Sequence, residues 1–335
     1  DKSISHRAIM LAALAEGRSH IHGFLEGEDT RATAAMFARM GVRIQALGTG
    51  VRQVDGVGLD GLHAPATALD CGNAGTGMRL MAGVLAGQPF PSTLTGDASL
   101  SQRPMGRVVD PLRKMGARID TGPEGRPPLT IHASKGLQGI DYRMPVASAQ
   151  VKSAILLAGL YARGETRVRE LHPTRDYTER MLQAFGWPVH FRPGDVVLGG
   201  GFRLQAREVE VPADFSSAAF FLVAASIVPG SQLRLRRIGI NPRRTGLLQA
   251  LGLMGADIMI ENAGELGGEP VADLVVRHAH LRGIELPPAL VPDMIDELPV
   301  FFVAAAAASG LTTITGAGEL RVKESDRIAA MCAGL

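Results

Sequence analysis

Five times along this 335-residue chain, a polar residue stands fourteen positions ahead of a glycine: Ser3/Gly17, Asn73/Gly87, Gln150/Gly164, Ser216/Gly230 and Asp296/Gly310. Each pair brackets an apolar, alanine-rich stretch such as AIMLAALAEG, MRLMAGVLAG, AILLAGLYARG or FFVAAAAASG. In four of the five cases a second glycine follows, at Gly41, Gly116, Gly186 and Gly255, closing runs such as LRKMGARI and LGLMGADI. Self-similarity with a period near ~70 residues marks one supersecondary unit used repeatedly. That repetition limits the possible folds to assemblies of a single helix–strand module.

Each module reads as helix, glycine turn, short alternating strand, loop, second helix, glycine turn and strand. In the first, the period predicts a helix from Ile4 to Ala15, capped by Gly17, with SHIHGF as the strand. Asp29 or Thr30 then opens ATAAMFARM, which Gly41 ends. The fifth module enters its second helix at Lys323–Ile328. Modules of this kind must bury their apolar helices against one another. Alanine lets those helices approach closely, so the reading is α/β with helices inside and sheets outside. A change of phase at VPADF, near Val211–Phe215, predicts two domains, 1–213 with three modules and 214–335 with two.

Charge and composition exclude several classes. Lys plus Arg (35) nearly balances Asp plus Glu (33), whereas a general nucleic-acid or membrane surface needs a basic excess. Aromatic residues at 4% leave little for base stacking. The densest basic stretch, Arg234, Arg236, Arg237, Arg243 and Arg244, alternates with Leu233, Leu235 and Ile238 and reads as the solvated face of a strand. VFFVAAAAASG is too short for a membrane span. Cys71 and Cys332 make neither a disulfide framework nor a metal set, and no charged-then-apolar leader opens the sequence. A cytoplasmic location is expected.

The chemistry concentrates where helices begin. Lys2-Ser3-Ile4-Ser5-His6-Arg7 puts a hydroxyl, an ammonium and a guanidinium within two turns. Free N–H groups and the helix dipole make such an end an anion site, although an ordinary Ser cap with surface basics fits this segment equally well. Gly72-Asn73-Ala74-Gly75-Thr76-Gly77 lets backbone approach a ligand, or simply turns tightly; it is neither a Walker loop nor a Rossmann fingerprint. The second helices add cations at nearly equivalent places: Arg31, Arg103, Arg175, Arg244, and the pair Lys323 and Arg327. Their recurrence points to a shared anionic ligand. Two carboxylates, Asp296 and Glu324, stand among these cations, where they are useful if they move protons and otherwise serve as caps or ion-pair partners. His6 and Cys71 read as packed core residues.

At these residues the chain resembles the 5-enolpyruvylshikimate-3-phosphate synthase family. The matching blocks are DKSISHR, GNAGTGMRL, GDASLSQRPMGRV, ASAQVKSAILLAGL, DELP and RVKESDR, in family order from Asp1 to Arg327. The resemblance implies a two-domain inside-out α/β barrel, the enolpyruvyl transferase fold, with substrates bound between the domains. It implies a monomer without cofactor or metal, and two small-molecule substrates, shikimate 3-phosphate and phosphoenolpyruvate. For shikimate 3-phosphate it assigns Lys2, Ser3, Arg7, Ser148, Ala149, Gln150, Asp296 and Lys323. For phosphoenolpyruvate it assigns Lys2, Asn73, Gly75, Arg103, Gln150 and Arg327; Arg175 aligns more loosely. Asp296 would take the proton of the attacking hydroxyl, Glu324 would protonate the methylene carbon, and Lys2 would assist.

The resemblance also implies a preceding strand and a sixth module carrying a further Arg and a catalytic Lys, so these 335 residues alone are expected to fold poorly and be nearly inactive. Gly75 presents no methyl group, so glyphosate sensitivity is expected. Two other readings are a UDP-N-acetylglucosamine enolpyruvyl transferase and a non-catalytic anion-binding module. Lys2-Ser3 in place of a Lys-Asn pair, and the lack of a reactive loop cysteine, argue against the first. The two carboxylates argue against the second.

Overall fold

A computed structural model describes residues 1–322 and 325–335. The chain divides into two compact units, Lys2–Val211 and Asp1 with Pro212–Leu335.

The first unit carries three copies of the module. Its apolar helices are α1 (Lys2–Leu14), α3 (Gly75–Ala86) and α5 (Ala149–Gly159), with the second helices α2 (Glu28–Arg39), α4 (Gly106–Lys114) and α6 (Tyr177–Ala184) between and after them. From Ile4 to Leu14 every residue of α1 is buried, as is all of α3 except Thr76 and Arg79. Helices apolar on all sides belong at the centre of a structure. Small residues set how close they come: a Cβ on Gly83 of α3 would lie 2.2 Å from the Ala154 carbonyl oxygen of α5, so nothing larger than glycine fits.

Three larger sheets, with the two-stranded pair Leu137–Gln138 and Ala162–Arg163, wrap these helices. Strand Ala15–His22 pairs antiparallel with Val51–Val57, which pairs with Arg43–Gly48. Strand Ser92–Thr95 lies between Leu69–Asp70 and Leu129–Ile131, and strand Glu165–Arg169 between Asp141–Arg143 and Asp195–Gly199. The second and third of these sheets each take one parallel strand from the stretch preceding their own module. For the first sheet that neighbour comes from the far end of the unit, since Leu204–Gln205 and Glu208–Glu210 run parallel to Ala15–His22. The unit therefore closes on itself.

The Pro212–Leu335 unit holds α7 (Phe215–Ile227), α8 (Gly246–Leu253), α9 (Leu298–Ala307) and α10 (Arg327–Gly334), with the sheet Gln232–Gly239, Glu269–Arg277, Asp257–Leu266. Here α7 packs on α9, but Phe220 and Phe221 remain 63% and 57% exposed.

Two local expectations need correction. Gly17 does not cap α1, which ends at Leu14; the chain passes straight into a strand and Gly17 sits within it at φ +102°. The glycine at that place serves a strand distortion, while Gly41, directly after α2 at φ +96°, is the true helix-ending residue. Nor is the basic stretch uniformly solvated. Arg234, Arg236 and Arg237 are exposed, but Arg244 is 6% exposed.

Candidate active site

All five polar residues of the repeat lie within two positions of a helix start: Ser3 and α1, Asn73 and α3, Gln150 and α5, Ser216 and α7, Asp296 and α9. In the first unit, side-chain bonds join the three apolar helices at these ends. Arg7 of α1 donates from Nη2 to Ser153 Oγ of α5 at 2.8 Å and from Nε to Thr178 Oγ1 of α6 at 2.7 Å. Its Nη1 donates to the Ser3 carbonyl at 2.8 Å. Arg79 of α3 donates from Nη1 to Gln150 Oε1 at 3.0 Å, and Gln150 Nε2 returns a bond to Thr76 Oγ1 at 2.7 Å. His6 Nδ1 lies 2.8 Å from Thr33 Oγ1 of α2, and a Cβ on Gly77 of α3 would meet that same hydroxyl at 3.0 Å. The N-terminal turns of α1, α3 and α5 therefore share one neighbourhood, where three partial positive charges add.

Around the start of α3, four of the sequence-derived residues meet. Arg103 donates from Nη2 to Asn73 Oδ1 at 2.5 Å, and Asn73 Nδ2 donates to Asp97 at 2.7 Å. Asp97 also accepts the Leu100 N–H; that bond and the Asn73 amide hold its carboxyl below the ordinary range. A Cβ on Gly75 would stand 2.9 Å from Arg103 Nη1 and 3.0 Å from Arg79 Nη1, so the missing methyl leaves room for two guanidiniums. Arg79 links this group to Gln150 and was missed at the sequence level; its signal is the i,i+4 spacing from Gly75, whose carbonyl accepts from it at 3.3 Å.

Lys2 sits half-exposed at the first turn of α1, its Nζ 3.0 Å from Asp29 Oδ2. Ser148 caps α5, accepting the Val151 N–H at 3.4 Å, and Ala149 follows as the first helical residue. Arg7, by contrast, is 4% exposed and engaged with three protein groups, so it braces the helix starts as well as charging them. Arg31 stands apart: it is exposed and 3.5 Å from Glu26. Behind the segment bearing Arg175 lies a buried network invisible to helical periodicity. Lys152 Nζ contacts Glu170 at 2.9 Å and Glu179 at 2.8 Å, and donates to the Thr174 carbonyl at 3.3 Å. Burial opposes the Lys152 charge, but the two carboxylates outweigh it and keep the ammonium protonated.

In the second unit, Arg244 donates to Ser216 Oγ at 2.6 Å and to Asp214 at 3.1 Å, while Ser216 Oγ donates to the buried Glu297 next to Asp296. Asp296 itself accepts from Arg327 Nη1 at 3.3 Å, bringing together the assigned base and an assigned phosphoenolpyruvate cation. Lys323 and Glu324 lie outside the described residues. Burial pushes the His6 imidazole down to about 4 and the Cys71 thiol up to about 12, so both are neutral near pH 7. Among the described residues, no group of three His, Cys, Asp or Glu is placed to hold a metal ion, and no helix is long and apolar enough to cross a membrane.

Comparison with known proteins identifies the family. The family model for EPSP synthase (3-phosphoshikimate 1-carboxyvinyltransferase) matches residues 1–335. The chain is 68% identical to a 3-phosphoshikimate 1-carboxyvinyltransferase of Xanthomonas euvesicatoria, covering 100% of this chain and 76% of that protein. It is 54% identical to the EPSP synthase of Acinetobacter baumannii, whose structure superposes with a TM-score of 0.91 over 100% of this chain and 76% of that one. The enolpyruvyl transferase NikO of Streptomyces tendae, 16% identical with a TM-score of 0.70 over 92% of this chain and 71% of that one, shares the fold. With its converging helix starts, its enolpyruvyl transferase fold and a match along its full length, this chain belongs to the EPSP synthase family.

Proposed function

We propose a division of labour among these residues for the family's reaction. The chain is a transferase that passes the enolpyruvyl group of phosphoenolpyruvate to the 5-hydroxyl of shikimate 3-phosphate and releases phosphate. In our reading Lys2, Ser3, Arg7, Ser148, Ala149 and Gln150 hold shikimate 3-phosphate, with Asp296 and Lys323. Lys2, Asn73, Gly75, Arg103, Gln150 and Arg327 hold phosphoenolpyruvate. The observation that supports this most is the meeting of the α1, α3 and α5 starts through Arg7–Ser153 and Arg79–Gln150.

Asp296 takes the proton of the 5-hydroxyl as its oxygen bonds to C2 of phosphoenolpyruvate, and Glu324 delivers a proton to C3, giving a ketal. Loss of a proton from the new methyl group then expels phosphate from C2 and restores the double bond. Each proton transfer by a positioned side chain contributes roughly 10²–10⁴-fold in rate. Lys2 and the guanidiniums stabilise charge accumulating on the phosphate, an effect of about 3 kcal/mol per well-placed donor. Arg327 Nη1, 3.3 Å from Asp296 Oδ1, orients that carboxylate.

Residues 1–213 form the shikimate-phosphate-binding domain in this reading, and 214–335 the second. Two free cysteines, one of them buried, support a reducing cytoplasmic home, and the enzyme acts as a monomer. The test is phosphate release with both substrates. Asp296→Asn is expected to lower kcat by about 10²–10⁴-fold with a small change in KM. A variant that turns over normally would remove Asp296 from the chemistry.

A further inference from the structure

Away from the helix starts, the solvent face of the third module's sheet gathers a second set of cations. Its strands lie in the order Val189–Arg192, Asp195–Gly199, Glu165–Arg169, Asp141–Arg143. Alternation along Glu165–Arg169 turns Thr166 and Val168 inward and Arg167 and Arg169 outward. The register then sets Arg143 opposite Arg169, Arg169 opposite Asp195, and Asp195 opposite Arg192. A single rung thus carries three guanidiniums and one carboxylate. Like charges directly opposed across a sheet repel.

Compensation within the protein is incomplete. Arg167 already grips Asp195 through Nε at 2.8 Å and Nη2 at 2.7 Å, and Arg192 reaches the same carboxylate at 3.4 Å. Arg169 contacts Asp141 at 2.5 Å through Nη2, which leaves its Nε buried without an acceptor. The Arg143 side chain makes no ion pair or hydrogen bond among the described residues. Glu170, the next residue along, is committed to Lys152 and buried with it. The rung borders a concavity of about 370 Å³, edged by Leu171 and Gly194.

We propose that this rung binds a small anion of two or more charges, a phosphate monoester or a polyphosphate, at a place separate from the substrate residues. Guanidinium forks on neighbouring strands match phosphate oxygens bidentately, and an anion there would relieve the Arg143–Arg169 repulsion and supply the acceptor that Arg169 Nε lacks.

The probe is inorganic pyrophosphate, titrated calorimetrically into the intact enzyme saturated with shikimate 3-phosphate. Binding is expected in the unaltered protein and in Lys2→Met. In Arg143→Gln/Arg192→Gln, binding should weaken about 10-fold or more, since two charge-assisted contacts are lost. The proposal is overturned if the unaltered enzyme does not bind, if the double variant binds equally well, or if Lys2→Met alone abolishes binding. Should the double variant misfold, amide shifts of the unaltered enzyme decide. Movement at Leu171 and Gly194 supports the rung, whereas movement confined to Ser3 and Gln150, or none, refutes it.

Discussion

The two units build the same module from the same kind of helix, yet bury it differently. In the first, α3 hides all but two of its residues. In the second, α7 leaves Phe220 and Phe221 exposed, and only Leu298, Val300, Phe301 and Ala304 of α9 are buried. Among the described residues the first unit brings three such helices together and the second brings two. Sequence apolarity therefore names a helix destined for an interior, but the number of like neighbours decides how much of it is covered. The chemistry differs too. At the shared polar position the first unit places neutral Ser3, Asn73 and Gln150, whereas the second places neutral Ser216 and a carboxylate, Asp296.

A steric test should give the largest effect. Gly83→Ala forces a methyl group against the Ala154 backbone, and chemical unfolding is expected to show a loss of about 3 kcal/mol, the upper part of the overpacking range. An unchanged midpoint would mean that α3 and α5 separate freely and that the first unit is no tighter than the second. The next test follows the counterparts His6 of α1 and Ala219 of α7, both fully buried. His6 titrates near 4 in the folded protein and near 6.5 when unfolded, so the unfolded chain binds more protons in between. Stability is complete above pH 6.5 and falls by up to about 3 kcal/mol as pH drops toward 4. His6→Gln should flatten that part of the pH–stability profile; a slope that survives would assign it elsewhere.

Within the site, Gly75→Ala presses on Arg103 and Arg79, and the KM for phosphoenolpyruvate is expected to rise about 10-fold, some 1.4 kcal/mol, with shikimate 3-phosphate affinity spared. Inhibition by glyphosate should weaken in parallel; equal losses for both substrates would place Gly75 outside the phosphoenolpyruvate pocket. The smallest effect belongs to the second unit. Phe221→Ala, at a 57% exposed position, is expected to cost less than about 1 kcal/mol, against roughly 3–5 for a buried Phe. A large loss in unfolding experiments would show that α7 is better covered than its exposure suggests.

Much of this was legible in the residues. The fourteen-residue spacing located all five helix starts, and the second glycines marked where α2, α4, α6 and α8 stop. Asn73, Gly75, Arg103 and Gln150 were named from sequence and lie in one neighbourhood. What escaped notice depends on contacts distant in sequence. Nothing within ASAQVKSAILLAGL shows that Lys152 is buried, because Glu170 and Glu179, which neutralise it, come later in the sequence. Arg244 looked solvated because Asp214 and Ser216, thirty and twenty-eight residues earlier, could not be seen to surround it. Arg79 lay unremarked inside a recognised motif. Gly17 misled because positive φ serves strand distortions and helix ends alike.

The pairing of strand Ala15–His22 with Leu204–Gln205 and Glu208–Glu210 has a bearing on biosynthesis. During translation, an early strand must wait for partners made nearly two hundred residues later, a loop closure that slows folding and prolongs exposure of its unsatisfied edge. That strand thus leaves the ribosome well before the segments that seal its edge, which makes it a natural point of vulnerability to aggregation and of protection by chaperones.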